Sequence, residues 1–314
     1  MLEFIIISTL NGVVYGLLLF MVSAGLTLIF GMMGVLNFAH ASFYMLGAYF
    51  AYTITRHVDF WAGLLIAPIL VGAIGVLVER YLLRRVHSYG HAHELLLTFG
   101  LAFIFEELVK LFYGDFPVNY AMPDYLRFPA FTVFGTHYPF YRVFIALVAI
   151  GMFVALYLLL SRTRAGLVVR AAERLPSMAE ALGHNVPLVF MAVFGVGAGL
   201  AGLAGAVAGA FFPTNPNMAL ELGIIVFVVV VVGGLGSLAG SLVASLMIGV
   251  FSSFAVGLDW SLAGLLSYVG LGEWARAVGG LFTLTLSSIS GTVPFLLMLI
   301  VLLVRPAGLM GERN

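Results

Sequence analysis

Asn37, His40 and Ser42 stand within six residues of one another in GVLNFAHASFYMLGAYFA, residues 34–51, between two strongly apolar stretches. An amide, an imidazole and a hydroxyl at this spacing can exchange hydrogen bonds with a small polar solute. They can equally satisfy the free backbone groups at helix ends. In hydrocarbon an unpaired polar group is costly, so such residues either pair inside a bundle or line a wet pathway. Gly31 and Gly34 before the cluster and Gly47 after it allow a helix to break here. Interrupted helices near the bilayer midplane often build passages, while Gly/Asn breaks also make plain connections between spans.

A second candidate is VVVVVGGLGSLAGSLVAS, residues 228–245. Its Gly233, Gly234, Gly236, Ser237, Gly240 and Ser241 either let helices pack closely or unwind the chain around a pore, close packing being the more frequent use. No βαβ pattern surrounds the run, so a phosphate-binding loop is excluded. The third is the arginine-bearing segment 162–185. Ser177 to Leu182 can form a short helix with Pro176 in its first turn and a stop at Gly183. Such an element either inserts into a groove on a soluble partner or is a solvated connector.

Weaker signals complete the inventory. Glu106 and Lys110 have the spacing of a helical ion pair, with Glu107 beside them. His87, His91, His93 and Glu94 crowd one loop without a full metal-ligand set, Glu221 suits a helix amino terminus, and Asp259, Glu273 and Arg276 flank Trp260 and Trp274 in a stretch of interfacial character. No Ser/His/Asp grouping has the context that nucleophilic catalysis needs.

The elements that must position these residues are set by composition. Of 314 residues, 62% are hydrophobic and 9% charged, and the mean hydropathy is +1.14, far outside the range of ordinary globular domains. The chain is therefore expected to be an all-α, polytopic transmembrane helix bundle. At about 20 apolar residues per span, runs fall at 5–31, 36–54, 61–79, 95–113, 142–161, 188–212, 221–236, 239–257 and 277–304. This gives about eight or nine spans with broken helices, in one domain over 1–314. Continuous apolar runs exclude an outer-membrane barrel. MLEFIII lacks a basic leader, so the first run is expected to be a retained span. A net charge of zero gives no nucleic-acid footprint. With no cysteine, disulfides and thiolate metal sites are excluded, and no cofactor or metal is expected.

Arg80, Arg84 and Arg85 in one loop, and Arg162, Arg164, Arg170 and Arg174 in another, predict that both face the cytoplasm. The carboxyl end, VRPAGLMGERN, should join them. Residues 114–139 should lie outside, as should the amino terminus if there are nine spans.

LTLIFGMMGVLNFAHASFYMLGAY, RTRAGLVVRAAERLPSMAEALGHN, AGLAGAVAG, VVVGGLGSLAGSLV and LLVRPAGLMGE, in this order, resemble the membrane permease of branched-chain amino-acid ABC importers, more closely the first of the two permeases such systems usually encode. The resemblance implies the ABC importer permease fold and a bacterial inner membrane location. It also implies two cytoplasmic ATPase subunits, a second permease subunit, and a periplasmic substrate-binding protein delivering leucine, isoleucine or valine. ATP hydrolysis would then belong to the partners, and the chain itself would be a transport subunit and not an enzyme. A coupling loop is implied at 162–187, with Arg170, Ser177, Ala179, Glu180, Ala181 and Gly183 against the ATPase, although AEALG lacks the full spacing of the general coupling motif. Asn37, His40, Ser42, Gly233, Gly234, Gly236 and Ser237 become substrate-path residues. Related permeases carry urea, amides or other small acids, and an ion-coupled secondary transporter is the reading from a different class. The scarcity of embedded carboxylates speaks against the latter.

Overall fold

The computed structural model describes residues 2–258, 260–268 and 270–311, with the backbone alone for Leu281. Asp259 and the final Glu312, Arg313 and Asn314 thus lie outside the described residues.

Nine long helices follow the nine apolar runs: α1 Leu2–Met33, α2 His40–His57, α3 Phe60–Val78, α4 His91–Tyr113 and α5 Phe140–Arg162, then, after two short helices, α8 Val186–Ala208, α9 Met218–Gly233, α10 Leu238–Gly257 and, last, α13 Val293–Val304. The short pair is α6 Arg164–Arg174 and α7 Pro176–Ala181. Five helical stretches are long and apolar enough to cross a membrane by length and composition, including the continuous stretch Phe60–Tyr89, and Met218–Gly233 and Ser290–Val304 are shorter apolar segments. The other two are diluted, α2 by its His, Ser, Thr and Tyr residues and α4 by Glu94, Glu106, Glu107 and Lys110. The chain is a multi-pass membrane protein.

The last apolar run is shorter as a helix than its hydropathy suggests. Gly279 at φ +66° and Gly280 at φ +57° end the preceding helix, α12 Gly272–Val278, and helical continuity resumes only at Val293. Residues 258–292 instead form an irregular segment with α12 and α11 Leu262–Ser267, from which Trp260 and Trp274 protrude. A small hairpin also departs from an all-helical plan. Strand β1 Pro129–Val133 pairs antiparallel with β2 Thr136–Pro139, turning through Phe134 and Gly135, both at positive φ. Two such residues between β-branched and aromatic neighbours are what a tight hairpin needs.

Glycine sets how the bundle packs. Gly12 and Gly16, four apart on α1, meet Gly249 of α10: a Cβ on Gly249 would lie 2.4 Å from the Gly12 carbonyl and 2.5 Å from the Gly16 Cα. Small residues at this spacing let backbones approach where lipid offers no hydrophobic drive to associate. α8 serves three neighbours in the same way, with Gly197 against Gly25 of α1, Gly202 against Gly47 of α2, and Gly195 against α3. The small residues of α8 from Gly195 to Gly205 thus form a packing surface at the centre of the molecule.

The two arginine-rich segments come together at one end of the bundle. The Arg84 guanidinium pairs with the buried Glu79 carboxylate at 2.8 Å and donates to the Pro187 carbonyl at 2.7 Å, bridging the 79–90 turn to the start of α8. Five residues there, Glu79–Leu83, form a π-helical turn. The carboxyl segment docks at the same end, where the Leu309 and Met310 amides donate to the carbonyls of Val232 and Gly233.

Candidate functional site

Between α1 and α2 the chain leaves the helix. Gly34 takes φ +66°, a left-handed conformation that favours glycine, and residues 34–37 have no regular structure. At 1.5 Å per residue, the 32 residues of α1 run about 48 Å, well beyond the ~30 Å hydrocarbon thickness. The chain then climbs back, so that His40 reaches the level of Val22, whose carbonyl accepts from its Nε2 at 2.9 Å. α2 therefore starts within the bundle, not at its surface. Gly25 makes the return possible, because a Cβ there would lie 2.3 Å from the Gly197 carbonyl oxygen and 3.0 Å from the His40 ring.

Asn37 organises the turn. Its Oδ1 accepts from the Ala39 amide at 3.0 Å and its carbonyl accepts from the His40 amide at 3.1 Å. Its Nδ2, however, is buried without a partner, and so is the His40 Nδ1. Because a carbonyl only accepts, the Val22 contact puts the ring proton on Nε2 and leaves Nδ1 as an acceptor. Buried polar atoms in native structures are nearly always paired. These two orphans lie three residues apart on the same segment.

Both residues line a cavity of about 150 Å³ together with Ser42, Phe38 and Leu26. Its other walls are Phe99, Ala102, Phe103 and Glu106 of α4 and Ala219, Leu220, Gly223, Ile224, Val226 and Phe227 of α9. A cavity of about this size admits a benzene-sized solute. Phe38 spans its mouth, edge-on to Phe99 and stacked on Phe227 with ring centroids 6.4 and 6.2 Å apart. Thr98 ties this segment to α4 by accepting from the Phe38 amide at 3.3 Å.

The sequence places Asn37, His40 and Ser42 correctly together, but the glycine run does not join them. Gly233, Gly234, Gly236 and Ser237 are absent from the cavity lining. They form the tight turn between α9 and α10 at the arginine-rich end. Gly234 and Gly236 take φ +102° and +84°, and the Ser237 Oγ caps α10 by accepting from the Gly240 amide at 3.1 Å. The turn is a joint: a Cβ on Gly240 would lie 2.0 Å from the Gly233 carbonyl, Gly236 abuts Gly31 of α1, and Gly234 abuts Gly311. α9 and α10 each keep an unbroken helix, so the break that glycine permits falls at their ends and not beside the cavity.

In the 162–187 segment, Thr163 caps α6 by accepting from the Gly166 amide, and Asn185 caps α8 by accepting from the Leu188 amide, each at 3.1 Å. Pro176 opens α7, and Gly183 at φ +89° closes it. Arg170, Ser177, Glu180, Ala181 and Gly183 are exposed. Ala179 is not: it is 2% exposed and packs with Met32, Ala172, Val186 and Val193, so it anchors the segment instead of presenting a contact. Leu175, Met178 and Leu182 project beside the polar positions.

Sequence spacing alone missed Phe38 as the mouth of the cavity, Glu106 in its wall, and the Glu79–Arg84 pair beneath the segment. Glu106 carried a signal, since a carboxylate within a span is a functional candidate on cost grounds. Its pairing with Lys110, at 2.7 Å, is present as the spacing predicts. His87 and His91 both turn Nδ1 to the buried Glu94, pinning their loop, and among the described residues no cluster could hold a metal ion.

Comparison with known proteins agrees with this architecture. The chain is similar to the high-affinity branched-chain amino acid transport system permease protein LivH of Escherichia coli strain K12, at 27% identity over 96% of this chain and 94% of that protein. It is similar to BraD of Pseudomonas aeruginosa at 25% identity over the same shares. Among solved structures, PsaBC from Streptococcus pneumoniae in complex with Fab matches with a TM-score of 0.46 and 12% identity over 95% of this chain and 91% of that one, too distant to bear on mechanism. The family model for the permease component of branched-chain amino acid transport systems matches residues 8–303, nearly the whole bundle from α1 to α13, and the chain belongs to that family.

Proposed function

We propose that this chain is a permease subunit of an ATP-driven importer and that its cargo is leucine, isoleucine or valine, the cargo class printed in the names of its relatives. The observation that carries the reading is the cavity at the α1–α2 break. It is largely apolar and aromatic, yet it holds an unpartnered amide donor at Asn37 and an unpartnered imidazole nitrogen at His40. An aliphatic side chain is favoured by such walls, and a zwitterionic head group by a free donor with a free acceptor beside it. Ser42 lies in the same lining.

In this reading the single membrane domain spans 1–314, and the arginine-rich end, with the carboxyl terminus, is cytoplasmic. Two ATPase subunits hydrolyse ATP and dock against the 162–187 segment through Arg170, Ser177, Glu180, Ala181 and Gly183. The protruding Leu175, Met178 and Leu182 suit insertion into a groove. A second permease subunit completes the passage, and a periplasmic binding protein delivers the cargo. ATPase closure pushes the segment, and the Arg84 bridge passes the push to α3 and α8 as a largely rigid movement. The Gly233–Ser237 turn, wedged between α1 and the carboxyl segment, serves this movement as a joint.

The test is uptake of labelled leucine into proteoliposomes holding the complete assembly, with and without ATP on the ATPase side. Uptake that requires ATP and the binding protein is expected. Uptake by this chain alone without ATP would replace the reading with a secondary transporter, and ATP-driven uptake of urea or an amide in place of leucine would keep the mechanism and change the cargo.

A further inference from the structure

Glu106 stands in the wall of the same cavity, and the reading above gives it no task. Its side chain is 10% exposed, and a carboxylate so placed must be compensated. Lys110 does this only in part. The Lys110 Nζ lies 2.7 Å from Glu106 and 2.8 Å from the 69%-exposed Glu107, so two carboxylates share one ammonium. The same lining presents the Asn37 Nδ2, a donor with nothing to donate to. Its orientation is fixed, because Oδ1 is taken by the Ala39 amide. One chamber thus offers a largely buried carboxylate held by a single shared ammonium, a free amide donor, and an aromatic wall made by Phe38, Phe99 and Phe227.

We propose that Glu106 receives the α-ammonium of the amino acid in transit and that Asn37 Nδ2 donates to its α-carboxylate, the aliphatic side chain lying on the aromatic wall. The assignment rests on the amino-acid permease reading and deepens it. The ligand's ammonium supplies a second cation, and Lys110 is then left to neutralise Glu107. A 2-hydroxy acid of the same carbon skeleton has the carboxylate and the side chain but no ammonium, and it leaves Glu106 with only the shared Lys110. The chamber therefore separates amino acids from their hydroxy analogues, a discrimination that hydrogen-bonding sites make far better than apolar ones.

The experiment uses the complete assembly in proteoliposomes with leucine-loaded binding protein. For Glu106→Gln, uptake kcat is expected to fall by about tenfold or more, while the KM for loaded binding protein and the stimulated ATP hydrolysis stay within about twofold. Glu106→Asp should recover part of the loss. Uptake by Glu106→Gln within about twofold of the unaltered protein overturns the assignment. A second measurement needs no variant. Photolysis of a diazirine analogue of leucine in the energised wild-type assembly should label the α4 peptide holding Phe99 to Glu106, and excess leucine should suppress the label while 2-hydroxy-4-methylpentanoate should not. Labelling that avoids α4 and α9, or equal suppression by the hydroxy acid, also overturns it. Failure of the wild-type assembly to import leucine at all would instead remove the branched-chain cargo reading beneath it, a result distinguishable from normal import that Glu106→Gln leaves intact.

Discussion

At the scale of the residue, the α1–α2 break draws its chemistry from what is left unpaired. Asn37 spends its carbonyl and Oδ1 on the turn and keeps Nδ2. Asn37→Asp preserves the acceptor but removes the donor and places a negative charge beside the incoming carboxylate; leucine uptake should fall by about tenfold or more with normal membrane insertion. Asn37 acting only as a turn-former predicts near-normal uptake by the same variant, since aspartate makes the same turn. Arg84 offers a separate test. Its partner Glu79 is 2% exposed, so Arg84→Ala strands a buried carboxylate, at a cost of about 3 kcal/mol. The detergent-solubilised protein should melt at a lower temperature, with Arg84→Lys intermediate because lysine lacks the fork that meets both carboxylate oxygens. Equal melting of all three proteins would remove the bridge from the account.

At the scale of the element, glycine acts in two separable ways. Gly16 needs space: a Cβ there would lie 2.6 Å from the Ser245 carbonyl oxygen, a backbone atom that cannot swing aside. Gly16→Leu should therefore destabilise the α1–α10 pair by about 1–3 kcal/mol or more, whereas Gly151→Ala on α5, where a Cβ meets nothing within 4 Å, should be neutral or slightly stabilising. Comparing the two thermal transitions checks the claim. Gly183 needs conformation, not space. Nothing lies within 4 Å of its would-be Cβ, but its φ is +89°. Gly183→Val should uncouple ATP hydrolysis from uptake by disordering the end of α7. Gly183→Asn should remain coupled, because asparagine tolerates the left-handed region and valine does not. Identical behaviour of the two variants would separate coupling from the shape of this turn.

For the whole molecule, the nine long helices among the described residues leave both arginine-rich segments and the carboxyl segment at one end, and residues 114–139 at the other, where Thr136 donates to Glu3 at the start of α1. With no native cysteine, single cysteines report topology cleanly. A cysteine at Ser177 should react with an impermeant thiol reagent only from the cytoplasmic side, and one at the exposed Tyr125 only from the opposite side. Reversal of the two patterns would invert the orientation without altering the fold.

Hydropathy and arginine placement determined the number of long helices, the all-α bundle and the grouping of charged loops, because each span must satisfy its own backbone in lipid and so carries its signature locally. The Asn37, His40 and Ser42 cluster and the Pro176 to Gly183 helix were legible for the same reason, being spelled within a few residues. Tertiary structure alone decided which residues share the cavity. Glu106 and Asn37 line one cavity only because α4 and α9 close around the start of α2, a juxtaposition of residues nearly seventy positions apart that no local pattern encodes. It also decided that Ala179 faces inward and that the Gly233–Ser237 turn packs against Gly31 and Gly311, away from that cavity. Glycine in the sequence announces close approach or a bend, and only the partner brought against it tells which.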